Sequence, residues 1–275
     1  MKQWQKYAAE LLGTFTLVFG GSLAIQSAVH GGGDVVTIGL GFGLALLAGL
    51  FAFGEVSGGH FNPIVSLAMF LDRRLTAVET IWYWIAQFVG AIFASLVILA
   101  TFASTNEVGR TANRTGDDAR AFFLELATSA ILVVVVLQVT RSGRYGTLAL
   151  IAYPLTLAAI HFATLGLTST GVNPARSFAP VLLSGDAWAD IWIFLLAPPA
   201  GAIVGWAAHM VTVRGDTGLG DDLARAATDM RRVELGDPRQ GPAQAPPPVG
   251  GTDPTRERPG QPPSPGPPPA STPGA

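Results

Sequence analysis

Along the first 213 residues, apolar positions run in stretches too long and too continuous for the single buried stripe of a soluble helix. A bilayer core of about 30 Å takes about 20 mostly apolar residues as helix, because an unsatisfied backbone amide is too costly in hydrocarbon. Six stretches meet that length: Tyr7 to Val29, Val35 to Phe53, Glu79 to Phe102, Arg120 to Thr140, Thr147 to Leu167 and Asp190 to Val213. Two shorter apolar runs, Phe61 to Leu71 and Asn173 to Leu183, are too short to cross, and each opens around an Asn-Pro pair. Proline is tolerated in the first turn of a helix, so each run reads as a short helix that starts inside a loop.

Past Val213 the pattern breaks. Fifteen of the 36 charged residues and fourteen of the twenty prolines lie in residues 214–275, so this segment reads as a polar tail unable to build a core. Asp221 to Gly236 suits one short amphipathic helix with acidic residues at its start and Arg231 and Arg232 near its end. The proline runs beyond it favour extended, solvated conformers, read as a disordered tail, with docking of a Pro-binding module as the alternative. The expected organisation is a membrane domain over 1–213, with repeat one at 1–102, a loop at 103–119 and repeat two at 120–213, followed by the tail. The N-terminus does not look like a cleaved signal, since its apolar run continues past any plausible cleavage point.

Charge sets the direction. Lys2, Lys6, Arg73, Arg74, Arg141, Arg144 and Arg214 fall on the side of the termini, which the positive-inside rule makes cytoplasmic, in the cell's inner membrane. Arg110 and Arg114 break the rule, partly offset by Glu107, Asp117 and Asp118. Trp4, Trp82, Trp84, Trp188 and Trp192 sit near expected span ends, where amphipathic rings prefer the interface. Gly13, Gly20, Gly90, Ala94, Gly201 and Gly205 recur at spacings that permit close helix crossings. The absence of cysteine removes disulfide scaffolds, thiolate metal sites and thiol nucleophiles. A net charge of −2 with no basic cluster in the body argues against nucleic acid as a partner.

The chain repeats itself. Ala9-Glu10-Leu11 and Gly59-His60-Phe61-Asn62-Pro63 in the first half have counterparts in Leu124-Glu125-Leu126 and Thr170-Gly171-Val172-Asn173-Pro174 in the second. Three spans per half make the second copy enter from the opposite side, an inverted 3+3 repeat whose permeation site lies where the halves meet at mid-membrane. The fold class is therefore an all-α membrane protein with six transmembrane helices and two re-entrant half-helices. The N-termini of the half-helices, at Asn62-Pro63-Ile64 and Asn173-Pro174-Ala175, would meet with free amide hydrogens and partial positive charge. A water between Asn62 and Asn173 would accept from both carboxamides and point its hydrogens away along the pore, which breaks a proton wire.

SGGHFNP at Ser57 to Pro63, GVNPARS at Gly171 to Ser177, AELLGTF at Ala8 to Phe15 and the repeat together resemble the major intrinsic proteins, the aquaporins and glycerol facilitators. The resemblance implies a tetramer with one pore per subunit, lipid and water as partners, and no cofactor. It implies a selectivity filter at Phe42, His161, Thr170 and Arg176, similar to that of water-selective bacterial aquaporins. A glycerol filter in the family generally has a small residue in place of the histidine and an aspartate after the arginine, where Ser177 stands here. Ile64 departs from the family's usual alanine, and its bulk would shift the pairing of the half-helices or narrow the pore.

Each assignment has a plainer alternative. His161 would otherwise be a satisfied core histidine, Arg176 a loop arginine facing solvent, and Phe42 and Thr170 packing residues. Glu10 and Glu125 are intramembrane carboxylates and so candidates for a proton relay; in the family they resemble, they instead hold the re-entrant loops. His60 with Glu55 suggests a metal site too weakly, having no third ligand, so loop support is the expectation for His60. His30 and His209 read as interfacial. The expected activity is passive single-file conduction of water excluding ions and protons. A channel for glycerol or other small neutral solutes is the alternative, then an ion- or proton-coupled transporter. An enzyme has no support.

Overall fold

The computed structural model of the chain describes residues 2–102, 109–141 and 148–213, and all regular structure among them is helical. Eight helices follow in order: α1 (Gln3–Gly31), α2 (Val35–Ser57), α3 (Pro63–Leu71), α4 (Ala77–Phe102), α5 (Asp118–Val139), α6 (Leu148–Thr168), α7 (Pro174–Ser184) and α8 (Ile191–Val213). All except α3 and α7 are long and apolar enough to cross a membrane, six in all. The tail's amphipathic helix and proline runs lie outside the described residues.

Hydropathy located the spans, but caps set their ends. The α1 helix begins at Gln3, ahead of the apolar run, and α2 continues past Phe53 to Ser57, where Gly58 at φ 93° stops it in the left-handed region. At the other end of α2, the Asp34 carboxylate accepts from the N–H groups of Val36 and Thr37, both at 3.0 Å, which holds this exposed carboxyl below its usual range. Asn62 and Asn173 cap α3 and α7, and each is followed by proline at the first helical position, where a missing N–H costs nothing.

Within each half the spans pack alike: α1 lies on α2 and α4, and α5 lies on α6 and α8. The halves meet through α2 against α6, while α3 rests on α4, α5 and α8, and α7 on α4 and α8. Each half-helix is thus clamped by spans of both repeats. Two glycines make the closest crossings possible. A side chain on Gly90 would run into the Leu11 carbonyl, and one on Gly201 into the Leu126 carbonyl, equivalent points of the two halves. Large apolar side chains such as Leu44, Phe51, Phe123, Leu155 and Ile203 stand exposed on the outside, the inverse of a soluble surface and suited to lipid.

Three side chains take places that the sequence leaves open. Trp84 is not an interfacial ring, because its indole N–H donates to the Pro63 carbonyl at 3.0 Å and ties α4 to the start of α3. His209, four residues before the end of α8, is buried against protein. Ile64 leaves the half-helices paired, with Asn62 and Asn173 bonding each other's loops, and its fully buried side chain joins the apolar cluster that contains Leu132, Val133 and Ala202 as well as Phe42 and Tyr153. Ala175, its counterpart, sits in a separate cluster with Val18, Ala91 and Ala94. Equivalent positions thus fill differently sized gaps.

Candidate functional site

The two loops that precede α3 and α7 hang on buried carboxylates. Glu10 Oε1 accepts from the Ser57 hydroxyl at 2.6 Å and the His60 N–H at 3.0 Å, while Oε2 accepts from the Phe61 N–H at 2.8 Å and Gln87 Nε2 at 2.7 Å. Glu125 repeats the pattern: Oε1 accepts from the Thr168 hydroxyl at 2.6 Å and the Gly171 N–H at 2.8 Å, and Oε2 from the Val172 N–H at 2.7 Å. Saturating a buried carboxylate with donors in this way is what makes its burial tolerable. His60 contributes its backbone to Glu10, its ring to Ser66 Oγ at 3.0 Å on α3, and a ring contact to Tyr83 at 5.0 Å.

Phe61 and Val172 have φ of 50° and 44°, a left-handed backbone that bulky residues avoid at a cost of roughly 1–3 kcal/mol each. That twist turns each N–H toward a glutamate and each carbonyl toward the opposite loop. Asn62 Nδ2 donates to the Val172 carbonyl at 2.9 Å and Asn173 Nδ2 to the Phe61 carbonyl at 3.0 Å, so the loops are stitched together reciprocally. The Oδ1 atoms accept from their own half-helices, Ile64 N–H for Asn62, and Ala175 and Arg176 N–H for Asn173. A carboxamide has two N–H donors, and these contacts use one on each asparagine.

Toward the face opposite the chain's start, three side chains converge. The Phe42 and His161 rings stack with centroids 4.3 Å apart, and the Arg176 guanidinium carbon lies 5.1 Å from the Phe42 centroid. Phe42 is seated on Gly21 of α1, where any Cβ would occupy the ring's space. Arg176 is fixed by two carbonyls, Gly109 at 2.9 Å from Nη1 and Ser169 at 3.2 Å from Nη2. His161 Nδ1 lies 2.9 Å from the Leu157 carbonyl, which can only accept, so Nδ1 carries the proton and Nε2 of the neutral ring is an acceptor. The donors at this cluster therefore come from Arg176. Among the described residues, His161 Nε2 and Arg176 Nε have no protein partner, although both are buried.

Above this cluster opens a vestibule of about 530 Å³ walled by Gln26, Arg110, Arg114 and Ser169, with Arg176 at its floor. Below Arg176 the free space shrinks to about 10 Å³, room for about one water, along a path bordered by Phe42, His161, Leu157, Tyr153, Asn62 and Asn173. Thr170 does not turn its side chain into this path, because its hydroxyl bonds Thr164 at 2.9 Å on α6. Among the described residues, no group of three His, Asp or Glu side chains is placed to hold a metal.

Sequence reasoning missed three participants. The Gly109 and Ser169 carbonyls left no signal, since any residue offers a carbonyl. Tyr153 did leave one: it stands twenty positions before Asn173, as Phe42 stands twenty before Asn62.

Paired half-helices meeting inside a bundle of six spans define a membrane channel built on an inverted repeat. The chain belongs to the major intrinsic protein family, whose model matches residues 1–209. It is 40% identical over 217 residues to "Glycerol uptake facilitator protein-like 6" of Lactiplantibacillus plantarum, covering 77% of this chain and 98% of that one. It is 36% identical over 220 residues to "Aquaporin Z" of Photorhabdus laumondii, covering 73% and 94%, and 37% identical over 215 residues to "Aquaporin Z" of Brucella melitensis, covering 73% and 94%. In three dimensions it resembles the aquaglyceroporin from Plasmodium falciparum, with a TM-score of 0.68 and 25% identity over 77% of this chain and 97% of that one. The protein is accordingly a passive membrane channel and not an enzyme.

Proposed function

We propose that this channel conducts water in single file and rejects glycerol, ions and protons. The observation that carries the reading is the contact of Phe42, His161 and Arg176 at the throat between the wide vestibule and the narrow path. In this reading these three side chains, with the Thr170 backbone, act as the filter. The imidazole and phenyl rings leave no room for a carbon skeleton, the Arg176 donors and His161 Nε2 replace the hydrogen bonds a water gives up, and the fixed guanidinium charge repels cations. At mid-membrane the second N–H groups of Asn62 and Asn173 turn a passing water so that its hydrogens point outward in both directions. The positive ends of α3 and α7 add a barrier to hydronium.

A glycerol channel is the second reading, favoured by the 40% identity to the facilitator-like relative. Against it stand the bulk of His161 and Ser177 after the arginine. Osmotic swelling of proteoliposomes decides between them: water flow well above the glycerol flow supports the proposal, and glycerol permeability matching water permeability defeats it. The arginine and lysine distribution supports cytoplasmic termini in the cell's inner membrane. Family membership supports a homotetramer with a pore in each subunit.

A further inference from the structure

Past the first span of each repeat, residues of the two halves correspond at an offset of 111 in the sequence, while the first spans, with Glu10 and Glu125, correspond at 115. Ser57 and Thr168 each hold a glutamate, Gly90 and Gly201 each admit a neighbouring carbonyl, and Asn62 and Asn173 bond each other's loops. By the same offset the counterpart of Phe42 is Tyr153. Tyr153 is buried, borders the narrow path together with His161 and the two asparagines, and donates its hydroxyl hydrogen to the His60 carbonyl at 3.1 Å. It precedes His161 by eight helical residues, which puts the two about 12 Å apart along α6.

We infer that Tyr153 is a second specificity-determining residue, a size limit in series with the outer cluster. The inference rests on the water-pore reading. The hydrogen bond to His60 joins α6 to the first re-entrant loop and holds the ring at the path, as Gly21 seats Phe42. It also occupies a carbonyl that would otherwise accept from pore water, leaving the phenol oxygen in its place. A solute that clears the outer cluster must still pass the Tyr153 ring. Two narrow places in series behave as added resistances, so relieving one leaves the other in control.

The test compares glycerol and water permeability of proteoliposomes holding equal amounts of wild type, His161→Gly, Tyr153→Val, and the double variant His161→Gly with Tyr153→Val. The expected result is that the double variant passes glycerol several-fold faster than His161→Gly alone, whereas Tyr153→Val alone raises water flow and still rejects glycerol. A double variant no more permeable to glycerol than His161→Gly overturns the inference. Tyr153→Phe in the His161→Gly background separates ring from tether: it should stay near His161→Gly, and glycerol flow equal to that of the valine double variant overturns the size limit. Should the valine variant fail to reconstitute, Tyr153→Leu makes the same comparison. Wild type that passes glycerol as fast as water defeats the water-pore reading, while the ratio of double to single variant judges Tyr153 separately.

Discussion

Glu10 and Glu125 grip their loops through the same three positions, a hydroxyl at the end of a span and the next loop's two N–H groups, yet among the described residues only Glu10 has a fourth donor, Gln87. The difference has an energetic consequence. In either Glu→Gln variant the new amide NH₂ faces a backbone N–H, of Phe61 or Val172, that loses its acceptor.

Gln87 can flip its amide so that its oxygen, which has no partner among the described residues, receives the new NH₂ at position 10. Among the described residues no such neighbour serves position 125, where the place equivalent to Gln87 is Pro198. Glu10→Gln is therefore expected to cost roughly 1–3 kcal/mol of stability and Glu125→Gln more. Thermal unfolding in detergent measures the order, which equal melting temperatures would contradict. Neither variant should make water flow depend on a proton gradient.

Ile64→Ala removes a fully buried side chain from the shared apolar cluster, and Ile64 is not among the residues that border the narrow path. The expected cost is about 2–5 kcal/mol of stability, as for other large-to-alanine changes in packed cores. Water and glycerol permeability per reconstituted channel should stay at wild-type values. A gain in glycerol flow would mean that Ile64 constrains the pore after all.

Arg176→Val removes the charge at the throat together with the bonds to Gly109 and Ser169. Cation and proton leak should rise, read with a pH-sensitive dye trapped in proteoliposomes. Arg176→Lys keeps the charge but cannot span both carbonyls, so it should retain cation rejection better than valine does. Equal leak from both variants would show that charge is not what rejects cations here.

With no cysteine in the chain, mercurial reagents have no thiolate to attack. Water flow through the channel should be unchanged by mercuric chloride at concentrations that modify exposed thiols. Introducing cysteine at Thr170 gives the control: its hydroxyl faces Thr164 rather than the path, so block should be slower than for cysteine introduced at His161.

The six spans, the inverted repeat and the two Asn-Pro starts are all legible in one dimension. Each rests on local properties: apolar run length against bilayer thickness, and proline's fit to a helix's first turn. The sequence also marked Phe42, His161, Arg176, Glu10 and Glu125, because a charged or ring-bearing residue at a matched distance from a motif is visible in one dimension. What those residues touch is set by the packing of the helices. The direction of Ile64, the turning of Thr170 toward α6, the proton position on His161 and the carbonyls that hold Arg176 depend on helices brought together from distant parts of the chain. The left-handed backbone at Phe61 and Val172 is the sharpest case. Neither residue type favours it, and it exists because a glutamate on one side and an asparagine of the other repeat each hold one end of the peptide.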